Sequence, residues 1–160
     1  PFLYKNKSIN FSFGSYKAPT YIMAILNLTP DSFFDGGSYT YDSVLIDVEK
    51  FINAGATIID IGGQSTRPGS HIISLEEEIS RVIPSIKYLS KIYPDILISI
   101  DTFRSEVAEE AVKAGASIVN DISGGRYDSK MLNTVARLRV PICIMHMRGD
   151  SLTMDNLTDY

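Results

Sequence analysis

The chain has 160 residues, of which 44% are hydrophobic and 21% are charged, and its formal net charge is -4. This composition is typical of one soluble globular unit, and the acidic balance excludes the dense basic face that non-specific nucleic-acid binding needs. No run approaches the roughly 20 apolar residues that span a bilayer, and the N-terminus lacks the pattern of a secretory signal. We therefore expect small-molecule ligands, with neither nucleic acid nor membrane as a partner.

The N-terminal residues alternate apolar and polar side chains, which predicts a short hairpin with strands at 2–4 and 9–13 around a turn at 5–8. Five apolar runs of strand length follow, and their Ile, Val and Leu content is typical of strands that are buried on both faces. These runs cover residues 21–26, 57–61, 96–100, 117–119 and 140–145.

Helical patterns separate the apolar runs. Ser74 and Glu77 form a capping-box pattern, in which each side chain satisfies a backbone N–H at the start of a helix that runs to about residue 91. Two further helices, predicted at 41–54 and 105–114, are followed by glycines at positions where a left-handed residue commonly closes a helix. Those glycines are Gly55 and Gly115.

The only cysteine, Cys143, lies in the last apolar run, so the chain cannot form a disulfide or a cysteine-based zinc site of its own. Because free cysteines are usually buried, we expect a buried structural thiol. A reducing compartment fits this usage, so the expected location is cytoplasmic, with a mitochondrial location left open.

The repeated order of strand and helix requires a parallel sheet with right-handed crossovers, either an open doubly wound sheet or a closed barrel. An open sheet that binds a dinucleotide would have a glycine-rich turn after its first strand, and the turn at 29–37 does not match G-x-G-x-x-G. We therefore predict an α/β fold, a (β/α)8 TIM barrel, of which the chain holds roughly the first five βα units and an N-terminal hairpin.

Polar residues stand at the C-terminal ends of the predicted strands. In a barrel these ends converge on one mouth, where active sites lie. The alternative for any one of them is that it caps a helix or bonds to loop backbone. The residues are Asn27, Asp60, Asp101, Asn120 with Asp121, and His146.

Two loops extend this predicted mouth. The loop at 29–37 combines carboxylates, two phenylalanines and a Gly-Gly pair, so it could fold over a ligand and exclude water. The loop at 62–69 offers backbone N–H groups, two hydroxyls and a guanidinium, which suits an oxyanion such as phosphate. The alternative in each case is an ordinary polar turn.

The run Met-Ala-Ile-Leu-Asn-Leu-Thr-Pro-Asp-Ser-Phe-Phe-Asp-Gly-Gly at 23–37 closely resembles the first signature of dihydropteroate synthase, and residues 60–69 resemble the second. Residues 100–102, 119–125 and 144–147 are similar to the family's third, fourth and fifth strand ends. The resemblance covers nearly the whole chain in order. It implies that 1–160 is a partial pterin-binding domain whose C-terminal strands lie outside this sequence.

The resemblance implies a transferase of folate biosynthesis. Such an enzyme condenses 7,8-dihydropterin-6-ylmethyl diphosphate with p-aminobenzoate to 7,8-dihydropteroate, releasing pyrophosphate with Mg²⁺ as cofactor. It also implies inhibition by sulfonamides, which mimic p-aminobenzoate. A homodimer and a fusion to other folate-pathway enzymes are compatible with it.

Carried onto the matching positions, the resemblance implies that Asn27 holds the metal and the diphosphate, which Thr66 also contacts. Asp101 and Asn120 would hydrogen-bond the pterin ring, whose 2-amino-4-oxo edge presents adjacent donors and acceptors. Two apolar residues would form walls of that pocket, although plain core packing is the favoured alternative for each taken alone. They are Ile122 and Met145.

Four loop residues are implied to meet around p-aminobenzoate, namely Phe33, Asp35, Arg67 and Pro68. Of these, Asp35 and Arg67 are the implied catalytic residues. The departure of pyrophosphate leaves positive charge on the pterin methylene, which the Asp35 carboxylate would stabilise. Two loop positions depart from the family pattern, since Gln64 stands where many members have Glu and Phe34 where many have Ser.

Two alternatives to the synthase stay open. One is a methyltetrahydrofolate-binding methyltransferase barrel, which the loops at 29–37 and 65–69 match less well. The other is a non-catalytic paralogue within a folate-pathway polypeptide, which has no need for the polar strand ends. Because five strands cannot close a barrel, we also expect this chain to fold poorly by itself and to be inactive alone.

Overall fold

The computed structural model describes residues 2–4, 7–9, 20–29, 41–64, 72–146, 148–149 and 153. Strands and helices alternate through this part of the chain after an N-terminal pair of strands. The strands are β1 (Phe2–Tyr4), β2 (Lys7–Ile9), β3 (Met23–Asn27), β4 (Ile58–Gly62), β5 (Leu97–Asp101), β6 (Ile118–Asp121) and β7 (Ile142–Ile144). The helices are α1 (Tyr41–Asn53), α2 (Leu75–Ile92), α3 (Ser105–Ala114) and α4 (Met131–Leu138).

The main sheet has five strands in the order β3-β4-β5-β6-β7, and all neighbours are parallel. The sequence predicted these strands and their parallel order. Most of them end one or two residues later than predicted, because the ladder continues through the polar residues that follow the apolar runs. Asn27 pairs with Gly62, and Asp101 pairs with Asn120, so these site candidates lie within the strands themselves.

The predicted hairpin is also present, as an antiparallel pair of β1 and β2 in which Phe2 pairs with Ile9 and Tyr4 pairs with Lys7. The expected turn at 5–8 was wrong, since the second strand begins at Lys7. Pairing of Tyr4 with Lys7 leaves a two-residue connection, which is the commonest length in hairpins. Residues 10–13, predicted as strand, lie outside the described residues.

The predicted helix signals are largely confirmed. Ser74 caps α2, where its Oγ accepts a hydrogen bond from Glu77 N at 3.1 Å. The reciprocal half of the capping box stays a prediction, and Glu77 Oε1 accepts a hydrogen bond from the Arg81 guanidinium. Gly55 and Gly115 adopt the positive φ angles expected after helices, 97° and 127°.

Helix α4 was not predicted. It is short, and its N-cap residue, Lys130, makes no side-chain capping hydrogen bond, so the usual sequence signals are weak. Its buried face consists of Met131, Thr134 and Val135, three residues within two turns. The helix ends at Arg139, which adopts a left-handed conformation in place of a glycine.

The two faces of the main sheet differ in character. On the helix-covered face, apolar residues pack into one continuous core, exemplified by Ile61 and Ile100, which are fully buried between strands and helices. On the opposite face, Ile58, Leu97 and Ile118 form a small apolar layer near the N-terminal ends of the strands. Asp60, Ser99, Asp101 and Asn120 lie on that face nearer the C-terminal ends of β4, β5 and β6.

The outer strands are less buried than the sequence predicted. Ile25 on β3 is 63% exposed and Ile144 on β7 is 53% exposed, whereas β4 is buried throughout. Cys143 is exposed, so its expected burial was wrong. The cause is its position on β7, one of the two outer strands of the described sheet, facing away from the helix-covered core. Among the described residues, no helix combines the length and apolar character needed to cross a membrane.

Candidate functional site

The strand pairing places four predicted or adjacent positions in one row across the sheet. Asn27 pairs with Gly62, Gly62 with Asp101, and Asp101 with Asn120. Residues of one such row project from the same face of a parallel sheet, at the C-terminal ends of the strands. The predicted convergence of Asn27, Asp101 and Asn120 is therefore confirmed.

Gly62 leaves room at the centre of this row. A side-chain carbon at that position would lie 3.4 Å from Asn27 Oδ1 and 3.4 Å from Asp101 Oδ2. The two side-chain oxygens thus point into the space above the glycine. A ligand atom can approach the backbone of β4 only because this residue has no side chain.

Asp101 is the most perturbed acid of the row. Burial raises its pKa to about 7, and the nearby carboxylates of Asp60, Glu78 and Asp121 add to the increase. Among the described residues, none is seen to donate a hydrogen bond to its carboxylate. A partly buried acid with this environment can accept or donate a hydrogen bond near neutral pH, which is typical of a functional site.

Asp60 lies one layer below the row, on the same face of β4. It is only 3% exposed, and its Oδ2 accepts a hydrogen bond from Asn120 Nδ2 at 2.9 Å. Its other oxygen, Oδ1, and the Oγ of Ser99 are buried without a hydrogen-bond partner in the described part of the chain. Burial raises the pKa of the Asp60 carboxyl, and interactions with Ser99 and Asn120 offset part of the shift.

Asp121 does not belong to this mouth, which corrects the prediction that grouped it with Asn120. It is fully buried, and its carboxylate accepts hydrogen bonds from Ser123 N at 2.8 Å and Gly125 N at 2.7 Å. Neighbouring residues in a strand face opposite sides of the sheet, so Asn120 and Asp121 cannot share one site. Its role is to hold the turn after β6.

The remaining candidates follow the last two strands, β6 and β7, and are more exposed to solvent than Asp60. Ile122 follows β6 and is partly buried, while Met145 follows β7 and is 39% exposed. The two strand ends meet, because Met145 N donates to Asp121 O at 3.3 Å. His146 is exposed beyond β7. The proposed wall roles of Ile122 and Met145 stay predictions.

Five loop candidates lie outside the described residues, namely Phe33, Asp35, Thr66, Arg67 and Pro68. The ends of the second loop are nevertheless visible. Gln64 is buried, and its Oε1 accepts a hydrogen bond from Ile73 N at 2.9 Å. The departure from the family pattern at Gln64 therefore provides a neutral acceptor that ties residue 64 to residue 73.

A buried ion pair on the helix-covered side was missed by the sequence analysis. Glu78 is 0% exposed and accepts from Thr102 Oγ1 at 2.6 Å and from the Arg104 guanidinium. Arg104 Nη2 also donates to Ile73 O at 2.6 Å, next to the end of the second loop. The available signal was an acid on the apolar face of α2, three residues after the apolar Leu75 and four before the apolar Val82.

The oxygen donors of the row are compatible with a magnesium ion that takes most of its ligands from the substrate and from water. Asn27 Oδ1, which faces the space beside Gly62, is a hard oxygen donor of the kind that Mg²⁺ prefers. In the described ranges no group of three or more His, Cys, Asp or Glu side chains could hold a metal without help. Magnesium is commonly bound through one or two protein oxygens, substrate phosphates and water, which fits this arrangement.

Comparison with known proteins places this geometry in a family. The profile of the pterin binding enzymes matches residues 23–160. The chain is 88% identical over 160 residues to the folic acid synthesis protein of Pneumocystis carinii and covers 22% of that protein.

Two similar solved structures are dihydropteroate synthases. The Clostridium difficile enzyme, solved in the presence of pteroic acid, is 48% identical with a TM-score of 0.77, over 81% of this chain and 49% of that chain. The Xanthomonas albilineans enzyme with 4-aminobenzoic acid is 44% identical with a TM-score of 0.74, over 79% of this chain and 46% of that chain.

The chain therefore spans less than half of each of these synthase chains. The similarity also confirms the predicted barrel, since the five parallel strands and their helices correspond to part of a synthase TIM barrel. Together with the family match over most of the sequence, it shows that the chain belongs to the pterin-binding enzyme family.

Proposed function

We propose that the protein containing this chain is a dihydropteroate synthase. Such an enzyme joins 7,8-dihydropterin-6-ylmethyl diphosphate to p-aminobenzoate and releases pyrophosphate. The observation that carries the proposal is the row formed by Asn27, Gly62, Asp101 and Asn120 at the C-terminal ends of adjacent strands. Two similar proteins with this fold are synthases solved with pteroic acid and with 4-aminobenzoic acid.

The row suits a flat heterocycle with several hydrogen-bonding groups. Asp101 offers a carboxyl whose pKa of about 7 lets it exist in either form near neutrality, and Asn120 offers an amide with both donors and an acceptor. A 2-amino-4-oxo ring edge presents complementary donors and acceptors. A buried polar pair of this kind rejects analogues that leave it unpaired.

The chemical step is assigned to the loop residues by the family resemblance. As pyrophosphate leaves, positive charge develops on the pterin methylene, and Asp35 would stabilise it. Arg67 and Thr66 would hold the diphosphate, while Phe33 and Pro68 would pack on p-aminobenzoate. Their roles rest on the residue types at positions 29–37 and 62–69, since the loop tips lie outside the described residues.

Mg²⁺ belongs to the proposal as the neutralising partner of the diphosphate. Asn27, with its Oδ1 near Gly62, would hold the ion together with substrate oxygens and water. When bound, the ion would supply charge neutralisation to the leaving group. Asn27 would then orient the diphosphate relative to the pterin pocket beside it.

The wider setting is proposed from the relatives. The fungal relative is much longer than this chain, which covers 22% of it, so other folate-pathway domains on the same polypeptide are expected. Sulfonamides would compete with p-aminobenzoate because they share its shape. We expect a cytoplasmic or mitochondrial enzyme, and a homodimer fits the proposal.

The test is pyrophosphate release by the full-length protein supplied with dihydropterin diphosphate, p-aminobenzoate and Mg²⁺, with each component omitted in turn. Asp101→Ala should abolish release, while Asp47→Ala, which removes a partly exposed carboxylate on α1 that pairs with Lys50, should leave it unchanged. Release that requires both substrates supports the synthase. A folded protein that binds pterin without releasing pyrophosphate would point to the methyltransferase or to the non-catalytic paralogue.

A further inference from the structure

We propose that Asp60 is a positioning residue that fixes the orientation of the Asn120 side-chain amide, so that the site selects a 2-amino heterocycle over its 2-oxo analogue. The proposal deepens the proposed function and rests on it, because it assumes that Asn120 contacts the pterin. Asp60 itself lies one layer below the mouth and would not touch the ligand.

Asp60 and Asn120 are joined directly by a side-chain hydrogen bond. Asp60 on β4 and Asn120 on β6 reach across the intervening strand β5, and Asn120 Nδ2 lies 2.9 Å from Asp60 Oδ2. In this contact the carboxylate oxygen accepts, so Asp60 faces the NH₂ end of the amide. The amide oxygen of Asn120 therefore points away from Asp60 and toward the mouth of the site.

Apart from Asn120, few described groups interact with the Asp60 carboxylate. It is 3% exposed, and its second oxygen has no partner among the described residues. No described arginine or lysine pairs with it, in contrast to Glu78, which is held by Arg104. A buried carboxylate without a cation is costly for stability, so a purely structural role would be met as well by an apolar residue.

The orientation of the Asn120 amide decides which pattern of ligand donors and acceptors it can match. Pterin carries an amino donor at C2 beside the ring acceptor N1, whereas the 2-oxo analogue carries an acceptor at C2 beside an N1–H donor. An amide that is free to flip can match either pattern, since its two ends exchange donor and acceptor. An amide fixed by Asp60 matches one pattern and opposes the other, which is how a buried polar group rejects an isostere.

The experiment compares two probes by calorimetric titration of the full-length protein, namely pteroic acid and its 2-oxo analogue. In Asp60→Asn the new amide can accept or donate, so it no longer dictates the orientation of Asn120. We expect the preference for pteroic acid to fall about ten-fold, chiefly through tighter binding of the 2-oxo analogue. The matched control is Ser99→Ala, which changes the neighbour of Asp60 on β5 but leaves the Asp60–Asn120 hydrogen bond in place. It should keep the wild-type preference.

A second variant, Asp60→Ser, guards against a folding defect, because a hydroxyl can also accept or donate and is smaller. Thermal melts establish that each protein is folded before titration. An unchanged preference in both folded variants would overturn the role of Asp60 while leaving the synthase proposal intact. If wild-type protein fails to bind pteroic acid at all, the proposed function itself is wrong. Uniformly weaker binding of both probes would also overturn the inference, because that pattern indicates a merely structural role.

Discussion

Glu78 and Asp101 are buried or partly buried acids that lie near the same strand ends, yet their surroundings differ. Glu78, on the helix-covered side, is fully buried and accepts hydrogen bonds from Thr102 and Arg104. Asp101, on the opposite face, has other acids as its charged neighbours, and its pKa is raised to about 7. The contrast indicates that paired acids hold the scaffold, whereas an acid left without a cation is available to a ligand.

The largest expected effect is on Asp101. The isosteric change Asp101→Asn should lower the rate of pyrophosphate release about 1,000-fold, because a polar group matched to the ligand is lost at the site. The unfolding free energy should not fall, since the change removes an unfavourable buried charge. Urea denaturation of both full-length proteins, beside the activity assay, checks this. A clear fall in the unfolding free energy, beside the loss of activity, would show that Asp101 also stabilises the fold.

Glu78 should behave in the opposite way. Glu78→Ala leaves Arg104 without its carboxylate and removes the acceptor of Thr102 Oγ1, so the unfolding free energy should drop by about 3 kcal/mol. Urea denaturation measures this loss. The double variant Glu78→Ala/Arg104→Ala should lose less than the sum of the two single changes, because neither charge is then unpaired. Strict additivity would contradict the ion pair.

Two adjacent glycines offer a smaller test of the same contrast. A methyl group at Gly63 would lie 2.8 Å from Val82 Cγ1, inside the helix-covered core, so Gly63→Ala should destabilise the fold by about 2 kcal/mol. The methyl of Gly62→Ala would project into the space between Asn27 and Asp101 at an ordinary contact distance of 3.4 Å.

For that reason Gly62→Ala should preserve stability while weakening the binding of pteroic acid. Thermal melts and calorimetric titration of the two full-length variants separate the outcomes. If Gly62→Ala unfolds the protein, or if Gly63→Ala leaves its stability unchanged, the distinction between a ligand-facing side at Gly62 and a packed core at Gly63 is wrong.

Much of the architecture could be predicted because it follows from local pattern. Apolar runs and glycine caps such as Gly115 indicate strands and helix ends directly, and the strand order follows from the repeated βα unit. Helix α4 escaped prediction because it lacks a capping side chain and ends at a left-handed Arg139. The exposure of Cys143 escaped because an apolar run does not reveal whether its strand lies at the outer side of the sheet.

The site could be predicted only in part, for a similar reason. Residue type and strand-end position were enough to bring Asn27, Asp101 and Asn120 together, because parallel strands align their ends. The opposite direction of Asp121 depends on where β6 ends, which the apolar pattern left uncertain by two residues. The Asp60–Asn120 contact joins positions 60 residues apart and two strands away, so no local pattern contains it.

The smallest expected effect is a pH dependence that belongs to Asp101 alone. Its pKa is about 7 in the folded protein against an ordinary value of 3.8, so between pH 4 and 7 the unfolded chain is ionised while the folded carboxyl keeps its proton. Folding then takes up a proton, and stability falls as the pH rises through this window and levels off above it.

Asp101→Asn removes this contribution, whereas the raised pKa of Asp60 acts in the same direction in both proteins and largely cancels. The stability advantage of the variant over wild type should therefore grow by on the order of 1 kcal/mol between pH 5 and about 7.5. Urea denaturation at matched ionic strength measures the difference. If the unfolding free energies of the two proteins change in parallel across this range, the Asp101 carboxyl ionises as readily in the folded protein as in the unfolded chain. Its surroundings would then disfavour the charged form no more than the cation-paired surroundings of Glu78 do.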